Sequence, residues 1–101
     1  MVIYNITYSV PKNKEKEWLS WMQKVHIPEI MEKGNYASHQ LVKLLEVQDE
    51  DSTAYAVQFY AETKENHMEF NELHQEAFKL KSSREWGQEV LSFSTLMEIV
   101  Q

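Results

Sequence analysis

The chain has 101 residues, enough for one domain, residues 1–101, with a real core and too few for two. Its net charge of −6 argues against the clustered Lys and Arg of a nucleic-acid surface, and the absence of cysteine excludes disulfides and thiolate chemistry. No apolar run is long enough to cross a bilayer, and the start of the chain shows neither a basic region nor a small-residue cleavage site, so the expected compartment is the cytoplasm.

Residues 2–10 alternate, with Val2, Tyr4, Ile6 and Tyr8 on one face and Ile3, Asn5, Thr7 and Ser9 on the other, which predicts a strand rich in β-branched and aromatic residues. Pro11 ends it, and Asn13 is the expected N-cap of a helix with Glu15 in its first turn. Residues 18–34, WLSWMQKVHIPEIMEKG, then place Trp18, Trp21, Met22 and Val25 on one helical face, the expected core face, with Leu19 and His26 on its flank. Pro28 cannot donate to the carbonyl of Lys24 and is expected to push Ile27 out of helical dihedrals. A short helix over residues 28–33 should come next, with Gly34 as a left-handed stop. His26 sits at this elbow. The expectation is an imidazole satisfied by the freed backbone, and the functional reading is an acid–base or ligand-contacting group at a pocket mouth.

A second extended run covers residues 36–47, both of its faces mixed, with His39 read as a surface residue. Residues 48–52 form an acidic turn that lacks the ligand spacing and glycine of a calcium loop. A third strand, residues 53–61, sets Tyr55, Val57 and Phe59 against Ala54, Ala56, Gln58 and Tyr60. Thr63 caps the next helix, whose expected core stripe is Phe70, Leu73, Ala77 and Leu80, with His74 and Phe78 beside it. His67 and His74 share a flank, but a rise of about 10 Å over seven residues is too far for one ion, so no metal site is expected. Trp86 falls off the stripe, so this helix should end or bend near Ser82 and Ser83, with Gly87 closing the segment. Residues 90–100 are the fourth strand, with Leu91, Phe93, Thr95, Met97 and Ile99 opposed to Ser92, Ser94, Leu96, Glu98 and Val100.

The order strand, helix, strand, strand, helix, strand predicts a ferredoxin-like α+β fold, βαββαβ, with both helices on one face of a four-stranded antiparallel sheet. The other face is expected to gather Ile3, Asn5, Thr7, Ser9, Ala54, Ala56, Gln58 and Tyr60 with Ser92, Ser94, Leu96, Glu98 and Val100. That mixture is too apolar for a freely solvated sheet and too polar for a core. A second copy of the chain would close a small polar lumen over it.

The opening IYNIT, the WLSWMQKVHIPEIMEKG segment, the AYAVQFY strand and the closing FSTLMEIV resemble the domain of unknown function 4286 family of small bacterial proteins, over nearly the whole chain. Its most specific piece is W-x-x-W-M followed by H-I-P. The resemblance implies a dimeric α+β barrel, in which two sheets close face to face, and it carries no catalytic residues over. Within the wider barrel superfamily some members are cofactor-independent monooxygenases, and others degrade haem with an Asn on the first strand and a Trp and a His on the second helix. Asn5 and His74 look like two of those three positions, while Lys64 stands roughly where the Trp belongs, which puts haem degradation in doubt.

Two classes of function remain. One is a small-ligand protein or enzyme using a lumen lined by Asn5, Thr7, Gln58 and Tyr60, with His26 or His74 as the ionisable group. The other is a non-catalytic interaction module in which the same residues bridge two subunits. Neither a nucleophile–base pair nor a metal set is visible. The expected partners are a second copy and a small apolar or aromatic molecule, with no cofactor.

Overall fold

The computed structural model of the protein describes residues 1–46 and 49–101. Four strands, β1 (Val2–Pro11), β2 (Ser38–Lys43), β3 (Ser52–Ala61) and β4 (Leu91–Glu98), form one antiparallel sheet in the order β2-β3-β1-β4. Between β1 and β2 run α1 (Glu15–Trp21) and α2 (Ile27–Lys33), joined by a widened π-turn over Met22–His26. Between β3 and β4 run α3 (Lys64–Leu73) and α4 (Gln75–Trp86). This is the expected ferredoxin-like α+β order, each helical crossover being built from two pieces. The expected end of the second strand at Val47 and the start of the acidic turn at Gln48 lie outside the described residues.

Directly opposed residues of antiparallel strands share a face. Tyr4 lies opposite Phe59 and Leu96, and Tyr8 opposite Tyr55 and Ser92, on the side the helices cover. There the Tyr8 ring meets Trp18 at 5.1 Å, Trp18 meets Tyr55 at 5.2 Å, and Tyr4 meets Phe70 at 6.2 Å. Trp18, Phe59, Met22, Ile30, Val10 and Val57 are fully buried in this layer. Pairing with β3 also settles the face of β2: Leu41 lies opposite Val57 on the helix side, while Gln40 and Val42 join Gln58 and Ala56 on the open side.

The register of β4 reverses one expectation. Thr7 is paired with Phe93 and Asn5 with Thr95, so Leu91, Phe93, Thr95 and Met97 occupy the open face, and Ser92, Ser94 and Leu96 face the helix side. The entry to the strand sets this phase. Gly87, at φ 66°, leads a 3-10 turn over Gly87–Glu89 and delivers Val90 partly buried against the core, so every second residue after it points the same way.

The first crossover departs from its expected caps. Asn13 lies within a 3-10 turn and caps nothing; instead the Tyr55 hydroxyl donates to Glu15 and ties the start of α1 to β3. Ile27 keeps helical dihedrals, φ −62° and ψ −47°, because the helix accommodates Pro28 by widening one turn earlier, where the Ile27 N–H reaches the Met22 carbonyl. This width carries the burial pattern. At roughly 100° per residue, Ile27 of an unbroken helix would lie about 180° from Trp18. The wide turn absorbs one residue and brings Ile27 and Ile30 back beneath the same sheet face as Trp18 and Met22. It also hands the inward position expected of Val25 to His26, so Val25 is exposed and Trp21 is only half-buried. Gly34 is extended at φ −90° and ψ 161°, not left-handed; glycine is needed there because a Cβ would lie 2.7 Å from ring carbons of Tyr36.

Thr63 caps α3 as expected, its Oγ1 accepting from Asn66 N at 3.2 Å. The helix then breaks at His74, φ −131° and ψ −21°, and the break rotates α4 relative to α3. His67, Phe70, Phe78 and Trp86 are therefore the buried residues, while Leu73, Ala77 and Leu80 face outward. Nor does α4 stop near Ser82; it runs to Trp86, whose burial fixes its end. Among the described residues no helix is long and apolar enough to cross a membrane.

Trp18, in ring contact with both Tyr8 and Tyr55, joins α1 to two strands at once. Trp18→Ala is expected to lower the free energy of urea unfolding by about 3–5 kcal/mol, the range for a large core aromatic. A loss below about 1 kcal/mol would place the indole outside the core.

Candidate functional site

The helices leave a gap over β4 and the adjoining part of β1. A cavity of about 310 Å³ opens there, between the helix side of the sheet and the inner faces of α2, α3 and α4. Its floor is Tyr4, Ile6 and Tyr8 of β1 with Ser92 and Ser94 of β4, its inner wall is His26 and Ile30, and its outer wall carries Phe70, Phe78, Ser82 and Ser83. Gln75 and Lys79 stand on the same outer helix.

His26 is only 3% exposed. Its ring stacks on Trp21 at 4.4 Å and receives the edge of Phe78 at 5.6 Å. Nδ1 is shielded from solvent and has no hydrogen-bonding partner. The backbone partner expected at the elbow is not made, because the wide turn closes backbone to backbone and carries the imidazole inward. Burial holds the ring well below the usual histidine range, at about 4; Glu29 nearby pulls upward, and Lys81, paired with Glu29 at 2.6 Å, pushes down. Burial also raises the Tyr4 phenol to about 12, against the pull of the Ser94 hydroxyl. At neutral pH the site therefore offers uncharged hydrogen-bonding groups on aromatic walls.

The residues expected to form a lumen with His26 or His74 lie elsewhere. Asn5, Thr7, Gln58 and Tyr60 share the open face, as the alternation required. There they pair among themselves: Asn5 Nδ2 donates to Thr7 Oγ1 at 3.0 Å, and the Tyr60 hydroxyl donates to Gln58 Oε1 at 3.0 Å. His26 and His74 both belong to the helix layer, and His74 sits at the α3–α4 break, 5.9 Å from the Phe70 ring. Asn5 and His74 are consequently on opposite sides of the sheet and do not face one ligand, so a haem pocket built on that pair does not form. His67, expected to be solvated or partly covered, is buried, with Nδ1 2.8 Å from the Tyr36 hydroxyl. No group of three or more His, Cys, Asp or Glu among the described residues is placed to hold a metal ion.

Tyr4, Ser92 and Ser94 do not stand out as site residues in the sequence. The signal that could have found the two serines is the phase of β4, which follows the positive-φ entry at Gly87.

The family model for the domain of unknown function (DUF4286) matches residues 1–100. The chain belongs to that family. No curated protein matches the sequence. Among solved structures, the DUF4286 chain is similar to a dimeric ferredoxin-like protein from an uncultured marine organism, with a TM-score of 0.74 and 8% identity, covering 99% of this chain and 95% of that one. It is similar to a putative antibiotic biosynthesis monooxygenase from Deinococcus radiodurans, with a TM-score of 0.71 and 10% identity, over 100% and 94% of the two chains. It is also similar to a cofactor-independent oxygenase from Streptomyces nogalater, with a TM-score of 0.62 and 11% identity, over 99% and 94%. At these identities the likeness shows the fold.

The state of His26 gives the DUF4286 domain a pH dependence of defined sign. Unfolded, the imidazole takes a proton near pH 6.5; folded, it does so only near 4. Between these values the unfolded chain binds the extra proton, so stability is full above about pH 6.5 and falls as the pH drops towards 4. Urea unfolding at pH 7.5 and 4.5 should show the wild type losing on the order of 2 kcal/mol more than His26→Phe. Parallel losses in the two proteins would mean that the ring is solvated.

Proposed function

We propose that the protein is a homodimer whose sheets pair across their open faces, each protomer binding one small apolar or aromatic molecule in the cavity between β4 and the helices. The observation that carries the ligand reading is the cavity itself, walled by Tyr4, Phe70 and Phe78 and lined on its inner side by His26. A pocket of this size with apolar walls and few polar groups has the composition of small-molecule sites. Binding without turnover is the reading favoured over oxygenase chemistry, since an imidazole held near 4 is a weak base at neutral pH.

Pairing is supported by the open face. Leu91 and Phe93 are 64% and 65% exposed there, beside an apolar hollow of about 440 Å³ bounded by Leu44, Ala54 and Phe93. Soluble monomers seldom leave such a patch uncovered, and fold neighbours are described as dimeric ferredoxin-like proteins. Phe93→Asp should reduce the sedimenting species from twice 12.0 kDa to 12.0 kDa at micromolar concentration, because an unpaired charge is costly in an interface. A wild type already sedimenting as a single chain would refute the dimer.

The cavity is tested separately by thermal melts with a panel of one- to three-ring aromatics. A bound compound raises the wild-type melting point by mass action, and Ser94→Phe, which fills the floor of the cavity, should abolish the rise. If no compound shifts the wild type, the domain is a pairing module without a ligand.

A further inference from the structure

Among the described residues Trp18 Nε1, Trp86 Nε1 and His26 Nδ1 are sealed from solvent without partners and out of a ligand's reach; His26 nonetheless lines the cavity, and its other ring nitrogen, Nε2, is neither sealed in this way nor engaged by a side-chain hydrogen bond. We infer that the cavity is selective for an uncharged one- or two-ring aromatic carrying a hydroxyl, a phenol or naphthol, whose hydroxyl hydrogen-bonds to the His26 imidazole. This rests on the ligand-binding reading above and narrows it to a chemical class.

Size sets the ring count. A cavity of about 150 Å³ holds one benzene, and the present 310 Å³ is about twice that, so two fused rings fill it. The walls set the aromatic character: Phe70 and Phe78 stack at 5.7 Å along the outer side, with Tyr4 below. The polar groups set the charge. The reachable nitrogen of a neutral imidazole is a donor or an acceptor according to tautomer, and a hydroxyl can answer either. A carboxylate would instead need a charged partner at the buried end, and Lys79, the cation of the lining, is an exposed residue of α4. The four serines at positions 82, 83, 92 and 94 line the cavity with further neutral hydroxyls.

The test compares three probes of one shape, naphthalene, 2-naphthol and 2-naphthoate, by calorimetric titration near neutral pH into wild type, His26→Phe and His26→Leu. Expected in the wild type is 2-naphthol binding about tenfold tighter than naphthalene, with 2-naphthoate weaker than both. In either variant the advantage of the hydroxyl should vanish while naphthalene still binds. Equal affinity for all three probes in the wild type would overturn the inference and leave the ligand-binding reading standing. A hydroxyl advantage that survives in a folded variant would also overturn it, by moving the anchor off His26. No binding by any probe would remove both. The wild-type comparison decides even if neither variant folds.

Discussion

β1 is hydrogen-bonded along almost its whole length on both sides, to β3 and to β4, and this double ladder sorts every strand residue to one of two faces. Because the side-chain period of a strand is two, the ladder cannot shift by one residue without exchanging the faces entirely. Tyr4, Tyr8, Tyr55 and Phe59 are thereby committed to the helices, and Asn5, Thr7, Gln58 and Phe93 to the opposite side. The two surfaces then have different chemistry. One is an aromatic layer that closes over itself except above β4 and the adjoining part of β1, and the other is a small hydrogen-bonded polar centre with an apolar margin at Leu91 and Phe93.

The helix layer meets this fixed floor by being interrupted twice. The wide turn at Met22–His26 and the break at His74 each reset the rotation of the next helix, so Ile27, Ile30, Phe78 and Trp86 reach the sheet although regular helices would turn several of them away. Leaving a buried imidazole nitrogen unpartnered costs about 1–3 kcal/mol. The core around Trp18, Met22 and Ile30 offsets that several times over, which is how the protein carries an unsatisfied polar atom in its interior.

Strand alternation makes most of the fold legible from sequence, and the faces of β1 and β3 are correctly assigned by Tyr4, Tyr8, Val57 and Gln58. What local pattern does not supply is phase after an irregularity. The apolar alternation of Leu91, Phe93 and Met97 has the look of a core face, yet Gly87 and the 3-10 turn behind it deliver the strand half a period round. The Phe70, Leu73, Ala77 and Leu80 stripe is sound helical spacing laid across a break. Pro28 singles out His26, but in place of an elbow with Ile27 outside helical dihedrals the chain makes a widened helical turn; the burial of the imidazole escapes the sequence because a wheel drawn at α-helical pitch gives its inward place to Val25. The candidate site suffers most, since two of its elements, the wide turn and β4, both depend on such irregularities.

The widened turn has a further consequence for how this pocket could vary. What faces the cavity from the first crossover is decided by how many residues lie between Trp18 and Pro28, before it is decided by which residues they are. Removing one residue from that interval would restore an ordinary helix with both apolar stretches still in register, while the neighbours competing for the inward place would be reassigned. Chain length in this interval is thus a discrete setting for which position faces the pocket, reachable by a single-codon insertion or deletion, whereas a substitution at His26 changes only the side chain that the setting already presents.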